Sequence, residues 1–219
     1  MLYYNTVNEF LKSTLQMLMK SDIFNDFRLV GGTSLSIQLG HRISVDIDLF
    51  SDIQYGSIDF EKIDLFLRDH FRYVDAFSDL EPAMGKSYFV GIDKENSVKL
   101  DLYYTDRFIQ TAKIKDEIRF ATIEEIIAMK IDVVQRGGRK KDFWDLHEVL
   151  PIYSINKMLE LHLQRYPYSH DRALILKNFT NFSIADDDFT PICLHGKHWE
   201  FIKDDFEEAI LKFKESKLI

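Results

Sequence analysis

The 219-residue sequence has little cysteine, proline or glycine, and each scarcity excludes a class of protein. Its single cysteine, Cys193, cannot form a disulfide within the chain, so a reducing cytosol is the expected compartment. Four prolines and nine glycines are too few for a collagen-like or low-complexity disordered chain. No apolar run approaches the ~20 residues that span a bilayer, and the N-terminus does not resemble a secretory signal. We therefore expect a cytoplasmic globular protein.

An overall basic surface is also missing, because 28 Lys and Arg against 36 Asp and Glu give a net charge of −8. This balance weighs against a protein that coats nucleic acid through a general cationic face. Residues 107–141 differ, since they contain nine basic and five acidic residues. This basic stretch is either a local contact surface for nucleic acid or ordinary charge scatter on a solvated face.

Apolar residues are plentiful instead, at 46% of the chain, and in several segments they alternate with polar ones. Alternation with a period of two predicts strands over residues 45–50 and 98–104. A further strand is predicted over 86–92, and the short polar connection at 93–96 is typical of a hairpin. The pattern therefore predicts a β-sheet.

Helical spacing of apolar residues accounts for most of the remaining sequence. Thr6 and Glu9 have the spacing of a capping box, which predicts the start of an N-terminal helix. The pattern after residue 150 is mostly helical. We predict an α+β chain with a mixed part over residues 1–150 and a helical region, packed on it, over 151–219.

Two adjacent glycines open the most informative stretch of the chain. Gly31 and Gly32 follow a short apolar run and permit a tight turn with a close backbone approach to a ligand. Thr33 and Ser34 then begin a predicted helix, whose first N–H groups and dipole favour an anion. The turn is therefore a candidate site for the triphosphate of a nucleotide.

Two aspartates, Asp46 and Asp48, alternate with Ile47 and Leu49 in the strand that follows. The alternation places both carboxylates on one face, where they would repel each other without a cation. Mg²⁺ prefers one or two carboxylates together with phosphate oxygens and water. The pair is a candidate metal site, although a solvent-facing strand edge has the same pattern.

A third carboxylate, Asp101, lies on the polar side of the strand over 98–104. Two metal ions about 3.5–4 Å apart need at least three carboxylates, and Asp101 completes that number. The alternative is an exposed acid paired with Lys99 or Lys86. Both interpretations stay open at this point.

A later pair of predicted helices contributes a lysine and two more acids. Lys130 lies among apolar residues, and a buried lysine needs a negative partner unless it extends to the surface. Asp142 and Asp145 are three residues apart, so they share one face of the next helix, and Asp142 also has the position of a helix cap. For His41 we expect a surface imidazole, and a contact to ligand or RNA is the alternative.

Three stretches of the chain resemble a known family. The first is GGTSLSIQLGHRISVDIDLF at residues 31–50, and the second is IEEIIAMKIDVVQRGGRKKDFWDL at residues 123–146. The third is NFTNFSIADDDFTPICLHGKHWEFIK at residues 178–203. Together they resemble the AbiEii/AbiGii toxin family, which consists of nucleotidyltransferases of the DNA polymerase β superfamily. Lys141 stands where the family usually has an arginine, and an ammonium lacks the bidentate fork of a guanidinium.

The resemblance implies a fold and a set of roles. The fold is a minimal polymerase-β-like nucleotidyltransferase core, a small mixed sheet flanked by helices, followed by a C-terminal helical region. Three acids would bind two Mg²⁺ ions, for which Mn²⁺ can substitute, and a lysine would hold the triphosphate of the NTP substrate. The implied metal and catalytic residues are Asp46, Asp48 and Asp101, with Lys130 also catalytic. The implied nucleotide-binding residues are Gly31, Gly32, Thr33, Ser34, Arg42, Lys130, Asp142 and Asp145.

The same resemblance implies the toxin of a bacterial toxin–antitoxin or phage-defence system. Such a toxin would move a nucleotidyl group to an RNA 3′ end, tRNA in particular, and a cognate antitoxin would restrain it. The basic stretch at 107–141 would face the RNA. Two alternatives stay open: the same chemistry on a protein hydroxyl or a small molecule such as an antibiotic, and a nucleotide-binding interaction protein without turnover. The intact acids at positions 46, 48 and 101 favour an enzyme.

Overall fold

The computed structural model describes residues 1–76 and 84–216, and these form two compact units. The first unit is a sheet with helices, and the second is helical. The chain is therefore α+β, as the sequence predicts. No helix in the described ranges is long and apolar enough to cross a membrane.

The two units divide the chain at places other than residue 150. The first unit comprises residues 1–38 and 44–122, and the second comprises 39–43 and 123–219. Residues 123–150 belong with the C-terminal helices because the helices that they form pack against those helices.

A seven-stranded mixed sheet forms the centre of the first unit. Its strands are β1 (Arg28–Leu29), β2 (Asp46–Ser51), β3 (Tyr73–Ala76), β4 (Gly85–Gly91), β5 (Ser97–Tyr104), β6 (Lys113–Lys115) and β7 (Ile118–Phe120). They are arranged in the order β3-β4-β5-β2-β1-β7-β6. The helices of this unit are α1 (Glu9–Lys20), α2 (Gly31–Leu39, whose last residue belongs to the second unit) and α3 (Phe60–His70).

The two central strands have the period-two burial that their sequences predict. In β2 and β5, Ile47, Leu49, Leu100 and Leu102 are fully buried. They form one core with residues of α1 and α3, such as Leu15. The residues between them are half-buried and lie on the opposite face. One face of the sheet is therefore core, and the other is left for polar residues.

The sequence-based boundaries differ from the structure at two places near these strands. The cap of α1 is Asn8, whose side-chain oxygen accepts a hydrogen bond from Leu11 N at 2.7 Å, so the predicted box of Thr6 and Glu9 is wrong. Thr6 instead donates its hydroxyl to Tyr3 O at 2.6 Å. Strand β2 begins at Asp46, because Val45 is 60% exposed and does not join the core.

The second unit is built from six helices in its described residues. They are α4 (Ile123–Gln135), α5 (Lys140–Val149), α6 (Ile155–Arg165), α7 (Arg172–Asn178), α8 (Ser183–Asp186) and α9 (Trp199–Glu215). Aromatic rings fill its core: Phe143 contacts Phe206 edge-on at 5.7 Å between centroids, and Phe206 stacks on Phe179 at the same distance. Residues 39–43 belong to this unit because their backbone bonds to residues 192–194.

Candidate active site

Asp46 and Asp48, which we call the D-x-D pair, lie with the third acid, Asp101, on the half-buried face of the sheet. Strands β2 and β5 are parallel neighbours, and their register places Asp48 directly opposite Asp101 and Asp46 directly opposite Lys99. Residues at matched positions of adjacent strands point to the same side of the sheet. Three carboxylates and one ammonium therefore share a small area of this face.

Gly31 brings the start of α2 against the D-x-D strand. Val30 N donates to Asp48 O at 2.9 Å, and α2 begins at the next residue. Gly31 has φ +66°, and a Cβ at this position would collide with the Asp48 carboxylate. Only glycine fits both constraints without strain. The N-terminus of α2, with its unsatisfied N–H groups and positive dipole end, consequently lies beside Asp48.

The hydroxyl groups of Thr33 and Ser34, in the predicted triphosphate-binding turn, form hydrogen bonds within the first unit. Thr33 is 1% exposed, and its hydroxyl contacts Asp46 O and the Ser44 hydroxyl, the latter at 2.7 Å. Ser34 is fully buried, and its Oγ accepts from Gln38 Nε2 at 3.2 Å. Because these side chains stabilise the turn, the groups that could meet a phosphate here are the backbone N–H groups of the first turn of α2, which includes Gly32.

The two oxygens of Asp101 have different environments. Oδ2 accepts from Lys99 Nζ, the pairing that the sequence offered as an alternative to metal binding. Oδ1 is buried and has no hydrogen-bond partner among the residues that the structure describes. Lys86, the other candidate partner, instead bonds Asp64 at 2.6 Å. Asp101 thus keeps one oxygen for a further ligand.

The charge of Lys99 is stabilised by all three acids of this face. Burial lowers the pKa of the Lys99 ammonium, but Asp101, Asp46 and Asp48 together outweigh this effect and hold the pKa above its ordinary value. Across the ranges 1–76 and 84–216, no group of three or more His, Cys, Asp or Glu side chains converges as a preformed metal site would. The donor set and the orphaned Asp101 Oδ1 nevertheless fit a hard cation, which takes carboxylate oxygens.

A second charged cluster lies within the helical unit. Lys130 Nζ donates to Asp142 Oδ1 at 2.6 Å and lies 2.8 Å from Asp145 Oδ2. Burial alone would lower the pKa of Lys130 and raise those of both acids. Attraction between Lys130 and the two acids reverses these shifts, and Arg42 contributes most to the lowered pKa of Asp145. The predicted negative partner of Lys130 is therefore present in the protein itself.

Asp145 is the centre of this cluster. Arg42 binds it in a bidentate manner, with Nε–Oδ1 at 2.6 Å and Nη2–Oδ2 at 2.9 Å. His41 Nε2 adds a contact to Oδ1 at 2.8 Å. His41 is fully buried, so its expected position at the surface is wrong. Its place directly before Arg42 in the family-like stretch was the only signal in the sequence.

Asp142 has a structural role in addition to its pairing with Lys130. Its Oδ2 accepts from Arg139 N at 3.0 Å, which satisfies the backbone N–H of the residue before α5. The N-cap residue of α5 is Arg139, and Asp142 is the third residue of the helix. Asp142 therefore bonds the N-cap residue and does not itself occupy the cap position. Asp142 and Asp145 are therefore both paired with basic or N–H groups of the protein itself.

Several basic side chains of the stretch at 107–141 are bound within the fold. Arg119 donates three hydrogen bonds to the backbone oxygens of Met19, Phe24 and Phe27. Lys130 and Lys140 are buried, and each has protein partners. Three of the nine basic side chains are therefore used within the fold, which weakens the expectation that this stretch faces RNA.

The predicted site residues thus fall into two groups, one in each unit. The first unit contains the nucleotide turn and the three acids, namely Gly31, Gly32, Thr33, Ser34, Asp46, Asp48 and Asp101. The second unit contains the ion-pair cluster of Arg42, Lys130, Asp142 and Asp145. Their roles toward nucleotide and metal stay predictions.

Comparison with known proteins identifies relatives over nearly the whole chain. A family model described as nucleotidyl transferase AbiEii toxin, Type IV TA system, matches residues 13–216. The chain is 24% identical to the uncharacterized protein aq_aa25 of Aquifex aeolicus (strain VF5) over 213 residues, which cover 94% of this chain and 96% of that protein.

Two solved structures share the fold. JHP933 from Helicobacter pylori matches with a TM-score of 0.55 and 16% identity, over 98% of this chain and 93% of that one. MenT4, a nucleotidyltransferase toxin from Mycobacterium tuberculosis H37Rv, matches with a TM-score of 0.56 and 14% identity, over 95% of this chain and 85% of that one. At these identities the likeness concerns the fold.

Proposed function

The chain belongs to the AbiEii family of nucleotidyltransferase toxins, and from this premise we propose that it transfers a nucleotidyl group from an NTP to the 3′ hydroxyl of an RNA. The acceptor in this proposal is tRNA, and the reaction depends on Mg²⁺. The chain acts as the toxin of a bacterial toxin–antitoxin pair, and an antitoxin relieves its effect. A nucleotidyl transfer of this kind would disable an RNA whose 3′ end must stay unblocked.

One arrangement supports the chemistry most directly. Asp48 and Asp101 are register partners on adjacent strands, and Gly31 brings the N-terminus of α2 beside Asp48. A helix N-terminus favours phosphate, whereas carboxylates repel it. The two features are compatible around one nucleotide only when a cation lies between the carboxylates and the phosphates.

The residues that would hold this cation are Asp46, Asp48 and Asp101. Carboxylate oxygens suit Mg²⁺, and Asp101 Oδ1 is a buried oxygen that needs a partner. When bound, Mg²⁺ neutralises phosphate oxygens and stabilises the charge that develops on the leaving group. The family resemblance implies two ions, and Mn²⁺ can take their place.

The side chains then have separate tasks in the transfer. The α2 N-terminus binds the triphosphate, and Asp101 positions the acceptor hydroxyl or accepts its proton. The hydroxyl oxygen forms a bond to the α-phosphorus, the bond from that phosphorus to the bridging oxygen breaks, and pyrophosphate leaves. Because little covalent chemistry is required of the protein, positioning and electrostatics provide the catalysis.

Lys130 is proposed to contact the triphosphate, as its place in the family motif implies. An ammonium has three N–H donors, and Asp142 and Asp145 use two of them. The two acids also keep the ammonium charged in a buried environment. In this proposal Asp142 and Asp145 serve the nucleotide indirectly, because they orient the lysine and keep it charged. Arg42 in turn holds Asp145 in place.

The test is transfer of label from NTPs to total bacterial RNA. Each of the four NTPs is supplied once with the α-phosphate labelled and once with the γ-phosphate labelled, in Mg²⁺ and in EDTA. We expect α-label, and no γ-label, to enter RNA of tRNA size in Mg²⁺ alone. Labelled material is then digested from the 3′ end to locate the added nucleotide.

The same labelled NTPs, supplied with a bacterial cell extract instead of purified RNA, distinguish the alternatives. Label in protein bands would indicate a protein hydroxyl as the acceptor, and label in the small-molecule fraction would indicate an antibiotic-like acceptor. Transfer of γ-label would identify a phosphotransferase and contradict the proposal. Absence of label from every fraction of a cell extract would favour a nucleotide-binding interaction protein.

A further inference from the structure

We propose that Lys99 is an internal counter-ion of the three-carboxylate face, which offsets part of its negative charge in the metal-free protein and competes with the divalent cation for that face. The inference rests on the proposed function, in which Asp46, Asp48 and Asp101 hold the cation. According to this inference, the metal affinity depends on Lys99 as well as on the three acids.

The position of Lys99 carries the argument. It lies opposite Asp46 in the register of β2 and β5, two residues before Asp101 on the same face. Its ammonium bonds Asp101 Oδ2 while Oδ1 stays buried without a hydrogen-bond partner among the described residues. The ammonium therefore binds one of the carboxylate oxygens that a cation at this face would use.

Electrostatics give the ammonium a reason to stay there without metal. Three carboxylates on one small, half-buried face repel one another, and each repulsion strengthens as water is excluded. One ammonium reduces this repulsion but cannot replace a dication, which carries twice the charge and binds oxygens directly. A dication bound at Asp101 Oδ1 therefore repels the ammonium on Oδ2 and weakens the Lys99–Asp101 bond.

The exposure of Lys99 makes this exchange feasible. Its side chain is 33% exposed, so the ammonium can move into solvent or toward an anionic ligand. The Lys130 side chain, by contrast, is 8% exposed and held by two acids. The triphosphate of an NTP is an anion that would attract the displaced ammonium. The protein should therefore bind divalent metal weakly alone and more tightly together with NTP.

The test measures Mn²⁺ binding to the protein without nucleotide, by the loss of the free-Mn²⁺ electron paramagnetic resonance signal. Lys99→Met removes the competing charge and should bind Mn²⁺ tighter than the wild type by at least about tenfold. Lys86→Met is the matched control, because Lys86 pairs with Asp64 rather than with any of the three acids. It removes the same charge from the adjacent strand and should leave the Mn²⁺ affinity unchanged.

Two further variants separate charge from shape and from folding. Lys99→Arg keeps the charge and should bind Mn²⁺ about as weakly as the wild type. Lys99→Gln provides a second neutral side chain if the methionine variant folds poorly, and circular dichroism with and without Mn²⁺ checks each fold. The neutral variants should also gain more thermal stability from Mn²⁺ than the wild type does.

The outcomes separate this inference from the proposed function. If the wild type binds Mn²⁺ and Lys99→Met binds it no tighter, Lys99 is not a competing counter-ion, while the metal site stands. The same conclusion follows if Lys99→Arg binds as tightly as Lys99→Met. If no form of the protein binds Mn²⁺, with or without NTP, the proposed metal site itself fails.

Discussion

Gly31 is the residue at which backbone geometry and chemistry are most tightly joined. Its φ of +66° and the adjacent Asp48 carboxylate both exclude a side chain. A non-glycine residue at positive φ costs roughly 1–2 kcal/mol by itself. The additional cost at this position depends on how far Asp48 must move to accommodate a methyl group.

We predict that Gly31→Ala lowers nucleotidyl transfer by roughly a hundredfold or more, because displacing a positioned carboxylate by about 1 Å has effects of that size. Gly56→Ala is the matched control, since Gly56 also has positive φ (+84°) but nothing lies within 4 Å of an added Cβ. Gly56→Ala should lose about 1–2 kcal/mol of stability in urea unfolding, and Gly31→Ala at least as much. Equal transfer by the two would show that the close approach to Asp48 has no functional role.

Lys99 and Asp101 illustrate what a sequence reveals about single residues. Their spacing places them on one face, so their pairing was one of the two interpretations that the sequence left open. The different environments of the two Asp101 oxygens depend on the strand pairing and on burial. No pattern within one strand contains that information, because register is set by neighbouring strands.

At the scale of elements, α4 and α5 are joined by buried charges. The sequence suggested a ligand as the partner of Lys130, which would let the lysine be removed without loss of stability. Asp142 and Asp145 of α5 are its partners in the structure, however. Removing one member of a buried ion-pair network leaves uncompensated charge and typically costs about 3–5 kcal/mol.

Lys130→Met should therefore destabilise the protein by about 3 kcal/mol or more at pH 7, measured by urea unfolding. Arg136→Met is the control, because Arg136 forms its ion pair with Asp132 from a side chain that is 65% exposed. Exposed pairs contribute about 0–1 kcal/mol. A Lys130→Met protein as stable as the wild type would indicate that the cluster is not a stabilising element.

The same cluster predicts a dependence of stability on pH. Asp142 and Asp145 have pKa values below their ordinary 3.8 in the folded protein. Their stabilising contribution is therefore complete above pH 3.8 and is lost as pH falls through the lower folded values. The stability difference between wild type and Lys130→Met should be constant from pH 7 to 5 and shrink below pH 4. A difference that grows with acid would contradict this.

The sequence predicts elements better than it predicts their ends and partners. Alternation identified the faces of β2 and β5, and helical spacing identified α4 with Lys130 among apolar residues. The cap of α1 was misplaced, because Asn8 and Thr6 are both good cap residues and local sequence cannot choose between them. Buried contacts such as His41 with Asp145 join residues about a hundred positions apart.

The division of the whole molecule was the least visible feature in the sequence. Residues 39–43 belong to the helical unit although both flanking segments belong to the sheet unit. Ile43 N donates to Ile192 O at 2.9 Å, and Leu194 N donates to His41 O at 2.8 Å. These contacts span about 150 residues, and no composition shift or linker marks them. Each candidate group of site residues nevertheless lies wholly within one unit.

At this scale the decisive prediction concerns Asp48→Asn in a bacterial host and in vitro. Asparagine keeps the size and one acceptor oxygen but removes the charge that opposes a cation. Losing several kcal/mol of transition-state stabilisation corresponds to a rate loss of about a thousandfold, since each 1.36 kcal/mol is tenfold. Asp75→Asn, on the exposed part of β3, removes the same charge from the same sheet and should retain full transfer.

Transfer and toxicity should disappear together, which makes the paired measurement stronger than either part. The Asp48→Asn protein should keep the wild-type fold, checked by circular dichroism and a melting curve, because asparagine keeps the size of the side chain and one acceptor oxygen. Loss of transfer with an intact fold assigns the D-x-D pair to the reaction. Near-normal transfer would exclude the pair as the catalytic metal site. Growth inhibition that persists without transfer would mean that the protein acts by binding, because the host would then be inhibited by a chain that moves no nucleotidyl group.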